Sequence, residues 1–501
     1  MTAKGVIFDL VAAYSPSYRG RGIDRFSTQL LVSIAADFPE LVAGIVVHPG
    51  LGEGDVPEEL RPWATATPDW STGRVLHLSS VIEPEVQVDE FWPREAAKAG
   101  LLTAVTLYDL IPDAFPGWYL VDPGLRRRWR CCRESVRVAD AVLTLSEAAS
   151  EDAVGLLGIP AERVHMIGGA PFPSFRPPAS RKEAFALAAS AIEGLEEEFV
   201  LYTGAFNPRK NVDGLVKGYA TLPPQVLARH QLVIVCEVPP LTRNHYLVMA
   251  RELGVEGRVL IPGFVPQDVL VALNQSAALS VFPSLYEGYG LPVMEAMACG
   301  TPAIAGNNSS LRELLPRDAL FEPDDPWAIA EAIQRALTEP LTRQRLLDLA
   351  RTPAPTWHDV AERAAKAFDQ LLSRASQRPA GWRRRAHLSL IGGPNGLADD
   401  IEATGKATAD QLAWPGPHPA AMRRLDAWSG GYDTVVFLPD KLGPDQVSEM
   451  AERAQALGRK CWVLAGAGEQ SDLDLGQHLE PYPLDDGDDL VAAVVALAQA
   501  E

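Results

Sequence analysis

Residues 284–302 read Ser-Leu-Tyr-Glu-Gly-Tyr-Gly-Leu-Pro-Val-Met-Glu-Ala-Met-Ala-Cys-Gly-Thr-Pro. The apolar run 277–282 precedes them and predicts a buried parallel strand. Pro292 falls where a first helical turn accepts proline, and 293–299 suits a short helix. Gly300 suits its C-terminal cap, and 301–305 reads as the next strand. The loop of this strand-loop-helix-strand unit lies at the carboxyl end of a strand, where open α/β sheets bind ligands. The amides of Tyr289, Gly290 and Leu291 stand at a helix N-terminus and suit a phosphate. Gly288 and Gly290 let a ligand approach the backbone. Two carboxylates frame the turn. Glu287, in the loop, is placed to bond hydroxyls of a sugar, and Glu295, about one turn into the helix, to accept from both hydroxyls of a ribose. A lone pair of glutamates would more often be a solvated loop residue and a helix-dipole partner. The glycines, the proline and the flanking strands favour the ligand reading.

Outward from this unit, strands and helices alternate. Before it, 199–203, 231–236 and 259–261 read as strands, and 212–221, 245–253 and 266–276 as helices. After it, 326–337, 342–349 and 358–374 are helical. An earlier series has strands at 5–10, 42–47, 75–78, 102–107, 141–145 and 164–167. Its helices are 25–38, preceded by a loop at 15–24 with Asp24 as N-cap, and one toward residue 157 capped by Ser146. The proline-rich stretch 171–178 separates the two series. An α/β chain with two Rossmann-like domains facing across a cleft follows. Their expected bounds are 1–172 and 196–352, with a helix at 355–375 packing back toward the first. Beyond a basic linker at 378–385, residues 386–501 form a smaller α/β module. Its strands are expected at 388–391, 434–438 and 461–464, and its helices at 445–457 and 488–500.

Other groups carry less on their own. Arg209 and Lys210 follow Gly204-Ala205-Phe206-Asn207-Pro208 at a strand end and suit a diphosphate, Arg as a fork and Lys as a point charge. Asp109 and Asp113, around Pro112, have poor spacing for a metal, and Asp485–Asp489 reads as an exposed acidic turn. Gly392-Gly393-Pro394-Asn395-Gly396 reads as a turn, because it lacks the dinucleotide spacing and Pro394 removes an amide. The arginines of 126–137, beside Trp118 and Tyr119, form either a solvated helix face or a contact for an anionic membrane surface or a diphosphate-linked acceptor.

Net charge is -20, which argues against non-specific nucleic-acid binding. The five cysteines include no Cys-x-x-Cys pair, so a reducing compartment is the simpler expectation. No apolar run approaches the ~20 residues of a membrane span, and the first residues are too short for a secretory signal. A cytoplasmic protein is expected, peripheral to a membrane at most.

The stretch 284–302 resembles the Glu-x7-Glu signature of retaining glycosyltransferases of family 4, which have the GT-B fold. In order, Gly22-Ile23-Asp24-Arg25 resembles that family's Gly-Ile-Gly-Arg loop, 106–112 its Thr-x-His-Asp-Leu-x-Pro segment, and Leu145-Ser146-Glu147 its Val-Ser-x segment. Residues 204–211 resemble its phosphate-binding turn, with Gly204 and Asn211 at its ends, and Gly263-Phe264-Val265 the strand end at the base. The likeness covers about 1–375 and is strongest to mannosyltransferase-like members of bacterial surface polysaccharide assembly.

The resemblance implies that Arg209 and Lys210 bind the donor diphosphate, that Glu287 touches the sugar within 288–291, and that Glu295 holds the ribose. It implies Tyr108 and Asp109 at the sugar, and Gly22, Asp24 and Phe264 along the donor. It further implies a nucleotide sugar as donor, a glycan or lipid-linked glycan as acceptor, retention of configuration, and no metal or other cofactor. Two positions depart from the pattern. Tyr108 stands where the family has His, which implies altered sugar specificity or reduced activity. Asp24 replaces a glycine and either repels a diphosphate or orients an acceptor hydroxyl. A catalytically weak GT-B module that binds a glycan or partner is the competing reading, with a nucleotide-sugar epimerase as a third.

Overall fold

The computed structural model describes residues 5–10, 22–47, 56–81, 96, 99–137, 139–236 and 239–376, and the strands 387–391, 408–412, 434–437, 460–466 and 480–484. The first half holds β1 (Gly5–Asp9), β2 (Val42–Val46), β3 (Ala64–Thr65), β4 (Gly73–Leu78), β5 (Leu102–Leu107), β6 (Ala141–Thr144) and β7 (Val164–Met166), in the order β3-β2-β1-β4-β5-β6-β7. The second holds β8 (Phe199–Thr203), β9 (Gln231–Val235), β10 (Val259–Gly263), β11 (Leu279–Phe282), β12 (Ala303–Gly306) and β13 (Leu320–Phe321), in the order β10-β9-β8-β11-β12-β13. A further sheet joins β14 (His387–Ile391), β15 (Thr408–Leu412), β16 (Thr434–Phe437), β17 (Lys460–Gly466) and β18 (Glu480–Leu484), in the order β15-β14-β16-β17-β18. The described pairings are parallel throughout.

Parallel sheets are covered by helices on both faces, so their strands are apolar throughout. β1, β5, β8, β9, β11 and β12 are buried along their whole length. In each Rossmann-like half the strand order reverses once, between β1 and β4 and between β8 and β11. At a reversal of this kind the loops leaving a parallel sheet's two adjacent strands diverge to opposite faces and open a crevice at their carboxyl ends. In the second half the crevice lies between the turn after β8 and the loop after β11. Those two segments carry the cations and the paired glutamates.

The helix Trp357–Ser376 lies last in the second half by sequence but packs on the first. Phe368 meets Phe8 and His77 edge-on, each with ring centroids 5.4 Å apart. Trp357 donates its indole N–H to the Pro171 carbonyl at 3.0 Å and stacks on Phe172. Val360, Ala364, Phe368 and Leu371 therefore complete the core beneath β1 and the helix Gly22–Asp37.

Several boundaries differ from the sequence expectation. The helix expected from Arg25 begins at Gly22, so Asp24 sits in its first turn and is not its N-cap. Its carboxylate accepts from the Thr28 hydroxyl one turn on, at 3.2 Å. The helix expected from His245 begins at Pro240, a proline at the first helical position. The helix Arg181–Ala191 was not foreseen, because its buried face consists of small residues, Ala184 and Ala188, which give little periodic signal. β15 and β18 were also missed. Their sequences, Thr-Ala-Asp-Gln-Leu and Glu-Pro-Tyr-Pro-Leu, lack the β-branched run of an inner strand, which fits their place at the sheet edges. The helices expected at 445–457 and 488–500, the basic linker, the Gly392–Gly396 turn and the acidic turn at 485–489 lie outside the described residues. Among the described residues no helix is long and apolar enough to cross a membrane.

Because Phe368 is fully buried in the core of the first half, Phe368→Ala is expected to cost about 3–5 kcal/mol. Urea unfolding followed by a probe in the first half checks this. A change under about 1 kcal/mol would detach the helix from that core.

Candidate active site

Arg209 and Lys210 lie in a single tight turn, Pro208–Lys210, directly after β8. Asn207 opens the turn by accepting from the Lys210 amide, and Asn211 closes it in the left-handed region at φ 52°. The side chain of Asn211 then caps the helix Val212–Ala220 by accepting from the Gly214 amide at 3.2 Å. Its N–H groups donate to the carbonyls of Pro283 at 3.2 Å and Pro323 at 2.5 Å. Asn211 is thus consumed in joining the turn to the β11 loop, and a direct donor contact is not its visible task.

Across the crevice Glu287 is 8% exposed. One carboxylate oxygen accepts from Arg209 Nη1 at 2.9 Å and the other from Lys210 Nζ at 2.5 Å. The same Arg209 nitrogen donates to the Tyr286 carbonyl at 2.8 Å. Burial alone would raise the Glu287 pKa. The pull of Lys210 and then Arg209, with hydrogen bonds from Lys210 and Ser284, outweighs it and brings the pKa down from 4.5 to about 2. The backbone of Glu287 is held as firmly. Its amide donates to the Ser309 hydroxyl at 2.8 Å, and its carbonyl accepts from the Ser310 hydroxyl at 2.9 Å.

The first half closes over this loop. A Cβ on Gly288 would lie 2.5 Å from the Tyr108 carbonyl and 2.9 Å from the Asp109 Cβ, so only glycine fits. Asp109 accepts from the Ile111 amide at 3.0 Å and faces Arg209, Glu287 and Lys210. Burial raises its pKa against the pull of that amide and of Arg209. Tyr289 donates its hydroxyl to the Gly169 carbonyl at 2.6 Å, and its ring occupies the space where a Gly169 side chain would stand.

Gly290, at φ 99°, is the N-cap of the helix Leu291–Ala298 and has no side chain to satisfy its amides. Glu295 lies one turn in and is 7% exposed. Burial raises its pKa from 4.5 to about 7, with Arg25 pulling the other way. Arg25 Nη2 is 3.9 Å from Glu295, and the guanidinium lies 3.9 Å from the centroid of the Phe172 ring.

The remaining expected site residues divide. Phe264 directly follows β10 and is 77% exposed. Gly204 abuts the Tyr202 hydroxyl, 2.7 Å from where a Cβ would be. Leu291 begins the helix, and Gly22 opens the first-half helix that carries Asp24 and Arg25. Tyr108 is different from its expected role. Its ring packs edge-on against Phe26, and its hydroxyl shares a 2.6 Å hydrogen bond with Ser27. The side chain belongs to the first-half core, and its backbone carbonyl is what meets the Glu287 loop. Asp113 is bonded by Trp129 Nε1 at 2.7 Å and Arg133 Nη1 at 2.9 Å, so that carboxylate is occupied within the fold.

Sequence reading missed Arg25 as a partner of Glu295, and Ser309 and Ser310 as holders of Glu287. The run Asn307-Asn308-Ser309-Ser310 was the available signal, since Asn and Ser favour left-handed or turn backbone and Ser309 has φ 34°.

The two glutamates should mark opposite ends of the pH–stability profile. Glu287, depressed when folded, contributes stability above pH 4.5 that is lost as pH falls toward 2. Glu295, raised when folded, contributes stability below pH 4.5 that is lost as pH rises through 7. Each window spans up to about 3 kcal/mol. Glu287→Gln is expected to flatten the acid side of the profile and Glu295→Gln the side between 4.5 and 7. Denaturant midpoints across pH test this; unchanged slopes in either variant would refute the assignment.

Residues 187–352 match the profile of the family Glycosyl transferases group 1. The chain is 29% identical over 322 residues to a serotype-specific mannosyltransferase WbdA of Escherichia coli, covering 62% of this chain and 38% of that protein. It therefore spans under two fifths of the length of the WbdA proteins it matches. It is also 29% identical over 272 residues to the O-antigen chain mannosyltransferase B of Escherichia coli, covering 53% of this chain and 70% of that one. Among solved structures, a glycosyltransferase from Rickettsia africae superposes with TM-score 0.54 at 12% identity, over 74% of this chain and 99% of that one. The Anabaena protein HepE, in complex with UDP-glucose, superposes with TM-score 0.51 at 14% identity, over 75% of this chain and all of that one. These likenesses give the two facing halves the GT-B fold. The paired glutamates and the Arg-Lys turn, on one switch point, lie within residues 187–352, the segment that matches the profile of Glycosyl transferases group 1.

Proposed function

We propose that the chain is a metal-independent, retaining hexosyltransferase that moves mannose or a similar hexose from a nucleoside-diphosphate sugar to a glycan or lipid-linked glycan in surface polysaccharide assembly. The observation that carries this reading is the buried cluster of Arg209, Lys210 and Glu287 at the switch point of the second sheet. Two adjacent cations and an uncapped helix N-terminus suit a diphosphate, and a carboxylate fixed beside them suits sugar hydroxyls. The mannosyltransferases among the relatives support the choice of hexose.

In this reading the diphosphate lies against Arg209, Lys210 and the amides around Gly290. The cations neutralise the charge that grows on the leaving phosphate, which is the work a divalent ion does elsewhere. Glu287 shares the two cations with the phosphate and turns its remaining lone pairs to the hexose. Ionised Glu295 accepts from the ribose hydroxyls, and Phe264 offers its face to the base. The acceptor oxygen attacks the anomeric carbon on the face the diphosphate leaves. The carbon–phosphate-oxygen bond breaks as the new glycosidic bond forms, and the acceptor proton passes to the departing phosphate oxygen.

A cytoplasmic location with peripheral contact at the inner membrane surface belongs to the same proposal. Exposed Trp118 and Val121 lie beside the basic helix Pro123–Arg137, on which Leu125 and Arg126 are also exposed; an apolar edge with cations suits an anionic headgroup layer.

Glu287→Ala, or Arg209→Ala combined with Lys210→Ala, is expected to lower transfer at least 100-fold. EDTA should leave the wild-type rate unchanged, and product NMR should show the donor's anomeric configuration. Wild-type rates in these variants, loss of activity in EDTA, or an inverted product would each overturn the corresponding part. A thermal-shift panel of nucleotide sugars identifies the donor, which should stabilise the fold by about 2.7 kcal/mol at a hundredfold excess over its dissociation constant.

A further inference from the structure

The helix Glu147–Leu157 belongs to the first half, yet its first turn is bonded to the second. Glu313, in the short turn Leu311–Leu314, accepts from the Glu147 amide with one carboxylate oxygen and from the Ala148 amide with the other, both at 2.8 Å. The Ser146 hydroxyl accepts from the Ala149 amide at 3.0 Å and donates to the Gly288 carbonyl at 2.7 Å. Farther along the same helix, Asp152 accepts from the Tyr286 hydroxyl.

These ties converge on one residue. Tyr286 and Gly288 flank Glu287, and each is held by the same first-half helix. Ser310, whose hydroxyl fixes the Glu287 carbonyl, lies immediately before the turn that carries Glu313. A carboxylate on the first amides of a helix is a favourable match of charge and donors. Here that carboxylate comes from the opposite half, so the match exists only when the halves are closed. Glu313 lies at an exposed position outside the cores of both halves, so its bonds act on the seam between them.

We propose that Glu313 and Ser146 are positioning residues: they dock the helix Glu147–Leu157 onto the Glu287 loop, and closure of the two halves thereby fixes the sugar-facing carboxylate. The proposal rests on the donor-site reading of Glu287 for its catalytic consequence. Its structural part stands without turnover.

The test uses the full chain. Spin labels on Glu59→Cys in the first half and Arg345→Cys in the second, both exposed positions, report the distance between halves. Hydrogen exchange of 284–291 reports the order of the Glu287 loop. Glu313→Gln combined with Ser146→Ala is expected to lengthen or broaden the distance distribution and to speed exchange of 284–291 at least tenfold. Glu331→Gln, the same charge change on an exposed helix face, should move neither. With GDP-mannose as donor, the double variant should lose at least tenfold in kcat while KM changes less than threefold, a split that general loosening of the fold would not give. Unchanged distances and exchange in the double variant overturn the clamp. An equal loss in kcat and KM overturns its positioning role. A wild type inert toward nucleotide sugars defeats the functional reading alone, because the distance and exchange measurements decide the clamp without it.

Discussion

One carboxylate between two cations organises this molecule. Glu287, Arg209 and Lys210 are all largely buried, and none tolerates that environment alone. Removing a charge from such a group strands the others in low dielectric, which is why broken buried pairs are so costly. The cluster also fixes geometry. It ties the turn after β8 to the loop after β11, the two strand ends that part at the reversal of the sheet order. Asn211, Ser309 and Ser310 surround it with hydrogen bonds to backbone, so the carboxylate is aimed by scaffold on every side. The carboxylate is thereby the internal counter-charge of Arg209 and Lys210.

A second consequence concerns the seam between halves. Arg25 reaches from the first-half helix to Glu295, stacks over Phe172 of the connecting stretch, and Phe172 stacks on Trp357. Trp357 meets Phe26, and Phe26 meets Tyr108. The core of the first half on this face is therefore closed by residues from the linker and from the helix Trp357–Ser376, whereas that of the second half is drawn from its own stretch, Val200 to Leu346. The two glutamates differ for the same reason. Glu287 is drawn down by cations within hydrogen-bond distance, while Glu295 is buried with its nearest cation 3.9 Å away and is pushed up.

The third sheet stands apart from this arrangement. It lies outside 187–352, the segment that matches the family profile, and its order β15-β14-β16-β17-β18 reverses once, between β14 and β16. Among the described residues the chain thus carries three separate parallel sheets, two in the GT-B portion and one beyond it.

Much of the fold was legible in the residues because parallel strands buried on both faces are continuous apolar runs, and β5 and β8 fall on the runs read from the sequence. The loop with Glu287 and Glu295 was equally legible, since glycine, proline and the helix start are local requirements of backbone geometry. Edge strands such as β15 and the alanine-faced helix Arg181–Ala191 were not, because their sequences carry no strong apolar period. The sequence by itself determined which residues bend, cap and carry charge. Only the tertiary structure decided what those charges meet. Tyr108 was assigned to the core by Phe26 and Ser27, Glu295 acquired Arg25 from 270 positions away, and Glu313 found the helix of the opposite half. Such partners are set by strand order and by the closure of two halves, and a local pattern of residues has no physical means of encoding a distance across a cleft.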